Sequence, residues 1–325
     1  MPEDIYAGER AMLASLVASE KVPHAYIIEG DECAEKKSLA FFLAASLLCT
    51  GDRPPCGKCP SCIKAASGNG SGHPDIHFFE PEKDKTLSVD TVRSIKKTVY
   101  LLPNEGKRKV YILYSAQRMS RSAQNALLKL FEEPPASAVF IICCDTRSSL
   151  LPTVISRGFL ISLPSPDDRT LYRLLERKYP AADSDMIKRA VRYACGSIGK
   201  ADDFMSADTA ESIKHAFEFC ARIFSGNRSA FSLASYLLPL GLKRDGLDRL
   251  LSFTELALLD VLNAHVGPSS AVLLDGRAVE AYRAACTPKT LCRMLDILGD
   301  TREYIAANAN DKTAAASLCS RLSAV

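Results

Sequence analysis

No run of this 325-residue sequence holds the roughly 18 consecutive apolar residues that a membrane-crossing helix needs. That excludes a chain organised around such a helix. The N-terminal stretch MPEDIYAGERAML lacks the basic head of a secretion signal and carries acidic residues instead. A cytoplasmic protein with no membrane partner is therefore expected. Excess charge is scarce as well: 41 basic and 38 acidic residues leave a net +3, too little to mark a protein that coats DNA through bulk charge. Tryptophan is absent, and nothing follows from that. There is no internal repeat and no long low-complexity tract, only a Gly/Ser loop, ASGNGSGHPD, from Ala66.

What is present is an ordinary soluble composition, 47% hydrophobic and 24% charged, in a chain long enough for two or three domains. In the first half, AYIIEG (from Ala25), DIHFFEP (from Asp75), KVYILYSA (from Lys109) and AVFIICCD (from Ala138) read as buried strands. Helical patterns lie between them: LAFFLAASLLC, SVDTVRSIKKTVYLL and SRSAQNALLKLFEE. Strands alternating with helices predict a parallel α/β sheet. Two prolines in LISLPSPDD (from Leu160) mark a boundary, and the rest of the chain is helical. The expected plan is α/β plus all-α: an α/β domain over 1–163, a small helical domain over 164–206 and a helical domain over 207–325.

Twelve cysteines in a chain expected in a reducing compartment point to metal or chemistry where they cluster. Cys49, Cys56, Cys59 and Cys62 are spaced C-x6-C-x2-C-x2-C, with Pro54, Pro55, Gly57 and Pro60 turning the chain between them. C-x2-C turns aim two sulfurs at one point, and zinc takes four thiolates in a tetrahedron. A single C-x2-C pair could instead be a redox dithiol, and four thiolates also suit iron. The linked spacings favour a structural zinc with no position left open for catalysis. Cys143 and Cys144 sit in an apolar run. Cys33, Cys195, Cys220, Cys286, Cys292 and Cys319 are scattered, and burial is expected for them.

GDECAEKKS, from Gly30, has the place of a phosphate loop: apolar strand, turn, helix. A working loop, G-x4-G-K-[ST], needs glycines so that backbone N–H groups close around phosphate oxygens. Aligned on Gly30, the sequence offers Glu35 for the second glycine, Lys36 for the lysine and Lys37 for the hydroxyl residue. Shifted by one, Lys37 and Ser38 fit, but Asp31 and Lys36 take the glycine positions. The strand that should end in magnesium-holding acids ends in Tyr114 and Ser115. With a displaced alignment, Asp90 or Asp145 is the remaining acid. ATP is not expected to bind productively.

Taken together, these motifs resemble the delta prime family of bacterial DNA polymerase III clamp-loader subunits, whose tau/gamma relatives are AAA+ ATPases. HAYIIEG resembles the strand entering the phosphate loop, the cysteine cluster its inserted zinc module, and NALLKLFEEPPASAVFIICCD (from Asn125) the most specific signature. LLPTVISRG (from Leu150) resembles the family's Ser-Arg-Cys motif, with Gly158 in place of cysteine, and IAANANDKTAAASL (from Ile305) its asparagine-bearing terminal helix. The first cysteine gap is six residues, where relatives often have eight.

The resemblance implies an AAA+ RecA-like sheet domain, a helical lid and a C-terminal collar that assembles with tau/gamma and delta subunits. It implies a non-hydrolysing member of a DNA-directed DNA polymerase holoenzyme that helps load a sliding clamp on primed DNA. It makes Arg157 an arginine finger acting in trans on a neighbour's ATP; the plain alternative is a surface arginine paired with a carboxylate. Two other readings stay open: an ATP-hydrolysing tau/gamma-like subunit, and a zinc-dependent nucleic-acid-binding regulator. Lys107-Arg108-Lys109 and Lys96-Lys97 suit either DNA phosphates or a solvated surface.

Overall fold

The computed structural model describes residues 5–325 except 20, 21, 32, 68–71, 83, 84, 226, 227, 268–270 and 308. The middle of the Gly/Ser loop and Asn308 of the terminal asparagine segment thus lie outside the described residues. The chain divides into two compact units, Met1–Leu174 with Gly196–Gly199, and Leu175–Cys195 with Lys200–Val325.

The first unit is built on a five-stranded parallel sheet in the order β2-β3-β4-β1-β5. Its strands are β1 (Ala25–Glu29), β2 (Ile76–Phe79), β3 (Lys109–Leu113), β4 (Ala138–Cys144) and β5 (Phe159–Ser162). The three central strands are nearly continuous apolar runs because both faces of the sheet are covered. Side chains alternate across the pleat. Ile27, Tyr111, Leu113, Phe140 and Ile142 join a core with α4 (Val89–Val99), α5 (Arg121–Glu132) and α6 (Pro152–Ile155). Tyr26, Ile28, Val110, Ile112 and Ile141 join the opposite core with α1 (Ala7–Ala18), α2 (Ala34–Leu48) and α3 (Pro60–Ala66).

Some local expectations change. SVDTVRSIKKTVYLL stops being helix after Val99 and leaves Tyr100, Leu101 and Leu102 exposed. Just before Arg157 the chain forms the short helix α6, started by Pro152, whose missing N–H costs nothing at a first turn. Helix α1 had no strong sequence signal, since Leu13 is its one fully buried residue.

After α7 (Asp168–Lys178), α8 (Ser184–Ala194) and α9 (Ile198–Phe204) come α10 (Ala207–Ile223), α11 (Ala230–Leu237), α12 (Arg244–Val266), α13 (Gly276–Ala285), α14 (Pro288–Ala306) and α15 (Asp311–Ser323). Within the second unit α12 is central, burying Leu247, Leu250, Leu251, Phe253, Ala257, Leu258 and Val261. Its Asp260 carboxylate accepts the backbone N–H groups of Val272, Leu273 and Leu274 at 2.7–2.9 Å. Ser206, Ser229, Asp275 and Thr287 cap helix starts with side-chain oxygens. The terminal asparagine segment is a junction, not one helix: α14 ends at Ala306, and Asn310 caps α15 by accepting from Lys312 N and Thr313 N.

Candidate functional site

In a parallel α/β sheet the ligand crevice lies beyond the C-terminal ends of the strands. Here those ends are Gly30 after β1, Cys144-Asp145 at β4 and Tyr114-Ser115 after β3, on three neighbouring strands. Gly30 donates its N–H to Cys144 O at 3.1 Å. Its φ of +157° and a Cβ position only 2.8 Å from Leu163 Cβ explain the glycine at this point.

Lys36 is buried completely and points back into this crevice. Its Nζ donates to Gly30 O at 2.8 Å, to Cys144 O at 3.3 Å and to Asp145 Oδ1 at 3.1 Å. Three acceptors for three donors satisfy an ammonium group. Gln117 Nε2 holds the other Asp145 oxygen at 2.7 Å. Asp145 is thus a counter-ion to Lys36, while Asp90 is exposed on α4 and paired with Arg93 at 2.8 Å.

The other loop residues are engaged as well. Lys37 Nζ pairs with Glu80 at 2.6 Å and lies over the Phe78 ring. Ser38 Oγ accepts from Arg10 Nη2 at 3.0 Å. Cys33 caps α2, its Sγ accepting from Lys36 N at 3.4 Å, so the thiol takes one of the N–H donors a phosphate would use. Burial pushes that thiol up to about 11 despite the N–H bond, which makes it a neutral cap. Tyr114, at the end of β3, is buried and donates its hydroxyl to Cys33 O at 3.0 Å. Asp31 accepts from Ser197 Oγ at 2.8 Å and Gly199 N at 2.7 Å, a contact the local sequence pattern does not reveal.

The four cysteines meet between α2 and α3. Their Sγ atoms all lie within 4.8 Å of one another, with Cys56 and Cys62 at 4.0 Å. A zinc–sulfur bond of about 2.3 Å implies tetrahedron edges of about 3.8 Å, so the set fits a four-thiolate zinc closely. Backbone N–H groups already point at sulfur: Gly51 and Cys56 donate to Cys49, Cys59 to Cys56 and Cys62 to Cys59, at 3.3–3.4 Å. Hydrogen bonds from Thr50 above all hold the Cys59 thiol down to about 5. Burial instead pushes Cys62 up to about 12, a cost that a bound divalent cation would offset. Gly57 adopts φ +70°, and a Cβ on Gly51 would stand 3.0 Å from Cys56 Cβ.

Arg157 follows α6. Its Nη1 donates to Thr153 O at 3.0 Å and its Nη2 contacts Glu132 Oε1 at 3.3 Å, with the two side chains 35% and 54% exposed. The pairing with a carboxylate therefore exists within the chain.

Of the scattered cysteines, Cys33, Cys220 and Cys319 are buried, but Cys195 and Cys292 are exposed and Cys286 half-buried. Cys195 adopts the left-handed conformation at the end of α8, a position that turns its side chain out of the helix core. Lys109 is buried, its Nζ on Thr98 O at 3.3 Å, which removes it from the basic patch. Among the described residues no helix is long and apolar enough to cross a membrane.

A family model described as "DNA polymerase III, delta subunit" matches residues 8–167. The delta prime subunit of DNA polymerase III from Pseudomonas aeruginosa is 34% identical over 199 residues, covering 60% of this chain and 59% of that protein. The delta prime subunit of Escherichia coli is 29% identical, covering 91% and 86%. The chain spans about half the length of the first curated relatives it matches, 59% and 50%. A solved structure of a DNA polymerase III gamma subunit-related protein from Thermotoga maritima is 19% identical with a TM-score of 0.51, covering 97% of this chain and 98% of that one. That likeness concerns the fold.

Proposed function

This chain belongs to the delta prime family of DNA polymerase III clamp-loader subunits, and from that premise we propose that it is a non-hydrolysing member of the loader ring. It braces the ring and lends Arg157 to ATP held by a neighbouring tau/gamma subunit. Its chemistry is then exerted through partners: tau/gamma and delta subunits, the sliding clamp and primed DNA. The proposed parts are the α/β domain over 1–163, a lid over 164–206 and a collar over 207–325.

The observation that carries this reading is the engagement of every candidate phosphate-handling side chain by the chain itself. Lys36 is spent on Gly30 O, Cys144 O and Asp145, Lys37 on Glu80, and Ser38 on Arg10. A polyphosphate would have to break these contacts, and the strand end that should supply magnesium ligands offers Tyr114 and Ser115. A guanidinium, in contrast, keeps its charge and its planar fork, and in trans it stabilises a transferring phosphoryl group. Zinc, when bound by Cys49, Cys56, Cys59 and Cys62, would cross-link its module and leave no position for substrate.

Two measurements test the reading. The purified chain is expected to show no binding of a fluorescent ATP analogue with Mg²⁺ at high micromolar concentrations; saturable binding at one site would overturn the non-hydrolysing assignment. In a reconstituted loader, Arg157→Ala is expected to lower ATP turnover by at least tenfold, and an unchanged rate would remove the finger.

A further inference from the structure

We propose that Glu132 is a positioning residue for Arg157, a counter-ion that holds the guanidinium folded against α6 until a neighbour's phosphate displaces it. The inference rests on the reading of Arg157 given above and concerns the regulation of that same group.

Three features of the contact support it. Glu132 closes α5, where the partial negative charge of the helix C-terminus disfavours a carboxylate. Its placement therefore does not serve the helix. The contact it makes instead is with a residue 25 positions away. That contact is loose: 3.3 Å through one nitrogen and one oxygen, beyond the 2.7–2.9 Å of a tight charge-assisted bond. Finally, Nη1 rests on Thr153 O at 3.0 Å and approaches Ser156 Oγ at 3.5 Å, so the fork is held in a defined direction, not left to wander.

A half-exposed carboxylate and a phosphate compete for the same planar cation. The neighbour's phosphate carries more charge and more acceptor oxygens, so it wins once ATP is in place. Until then, the pair keeps a free guanidinium from meeting other anions. An exposed ion pair shifts such an equilibrium by no more than about fivefold, which suits a latch that must open.

The test is steady-state ATPase kinetics of the reconstituted loader containing wild type, Glu132→Gln, Glu132→Asp, Arg157→Ala, or Glu132→Gln with Arg157→Ala. Glu132→Gln is expected to raise kcat/KM for ATP by about two- to fivefold, mainly through a lower KM, and the gain should vanish at high salt. Glu132→Asp, which keeps the charge on a shorter stem, should lie between it and wild type. In the Arg157→Ala background Glu132→Gln should change nothing. If Arg157→Ala slows turnover but Glu132→Gln leaves kcat/KM unchanged or lowers it, the latch is wrong and the finger stands. A Glu132→Gln effect that persists without Arg157 also overturns the latch. If Arg157→Ala has no effect, the reading of Arg157 falls and the latch falls with it.

Discussion

Gly158 lies so close to Ile27 that a Cβ built on it would stand 2.6 Å from Ile27 Cδ1 and 2.7 Å from Cγ1. Ile27 is a fully buried residue of β1, and its branched side chain fills the volume that a cysteine in the Ser-Arg-Cys pattern would take. The departure at 158 is thus matched by packing 131 positions earlier in the chain.

Restoring the pattern should therefore harm this chain. Gly158→Cys is expected to cost about 1–3 kcal/mol through overpacking, and it shifts the backbone that carries Arg157. Ile27→Ala alone leaves a cavity and costs about 2–5 kcal/mol. In the double variant the new side chain occupies that cavity, so the two costs should add to less than their sum. Urea unfolding of all four proteins measures the coupling; strict additivity, within about 0.5 kcal/mol, would show that the residues do not share space.

Lys36 yields a prediction of opposite sense to that for a nucleotide-binding lysine, whose loss removes ligand and spares stability. Here Lys36→Met takes one donor each from Gly30 O, Cys144 O and Asp145, while Cys144 O keeps its bond from Gly30 N and Asp145 its bond from Gln117. It should destabilise the isolated chain by roughly 2–3 kcal/mol, discounted because Asp145 is 40% exposed. Asp145→Asn keeps both carbonyl contacts and should cost about half as much. Thermal melting of the two variants checks this. A Lys36→Met protein as stable as wild type would mean that the lysine is not spent on the fold.

The strands were legible because β1, β3 and β4 are buried on both faces and so read as unbroken apolar runs. The cysteine cluster was legible because its four ligands lie within 14 residues of one another in sequence, and short turns bring them together. Missing glycines and acids could likewise be read directly. What occupies the crevice instead could not: Lys36 meets Cys144 and Asp145 across separations of 108 and 109 residues, which only the adjacency of β1 and β4 creates. Ile27 against Gly158 and Glu132 against Arg157 are hidden for the same reason. Helix α1 escaped because a helix that buries one residue fully carries little periodic signal.

Asp75 provides a pH-dependent stability. The carboxylate is buried and accepts four donors from the turn before β3: Asn104 N at 2.6 Å, Asn104 Nδ2 at 3.0 Å, Glu105 N at 2.9 Å and Gly106 N at 3.0 Å. Burial alone would raise its pKa, but the backbone N–H groups outweigh burial and hold it below the ordinary value. A carboxylate depressed in the folded state contributes stability that is present above about pH 4 and is lost as pH falls through the folded value. Asp75→Asn should thus cost about 2–3 kcal/mol at pH 7, and the gap to wild type should narrow steadily below about pH 4. Urea midpoints across pH 2–7 test it, and a gap independent of pH would overturn the assignment.

The cysteine module gives the most direct chemical test. Four sulfurs within 4.8 Å of one another, with backbone N–H groups aimed at three of them, predict about one zinc per chain after gentle purification. Cys59→Ser should lose most of that metal. The sharper variant is Gly51→Ala, which keeps all four ligands. Its added Cβ would meet Cys56 Cβ at 3.0 Å and Cys56 Sγ at 3.1 Å, while Cys49 Sγ lies at 3.8 Å, so it must displace the turn that presents these sulfurs. Zinc affinity, measured by competition with a chromophoric chelator, should fall by about 10–100-fold, as when a partner that orients ligands is lost. Retention of wild-type affinity would mean that the sulfurs reach the metal in some other arrangement, and a chain with no zinc at all would leave the module to be explained as a dithiol pair.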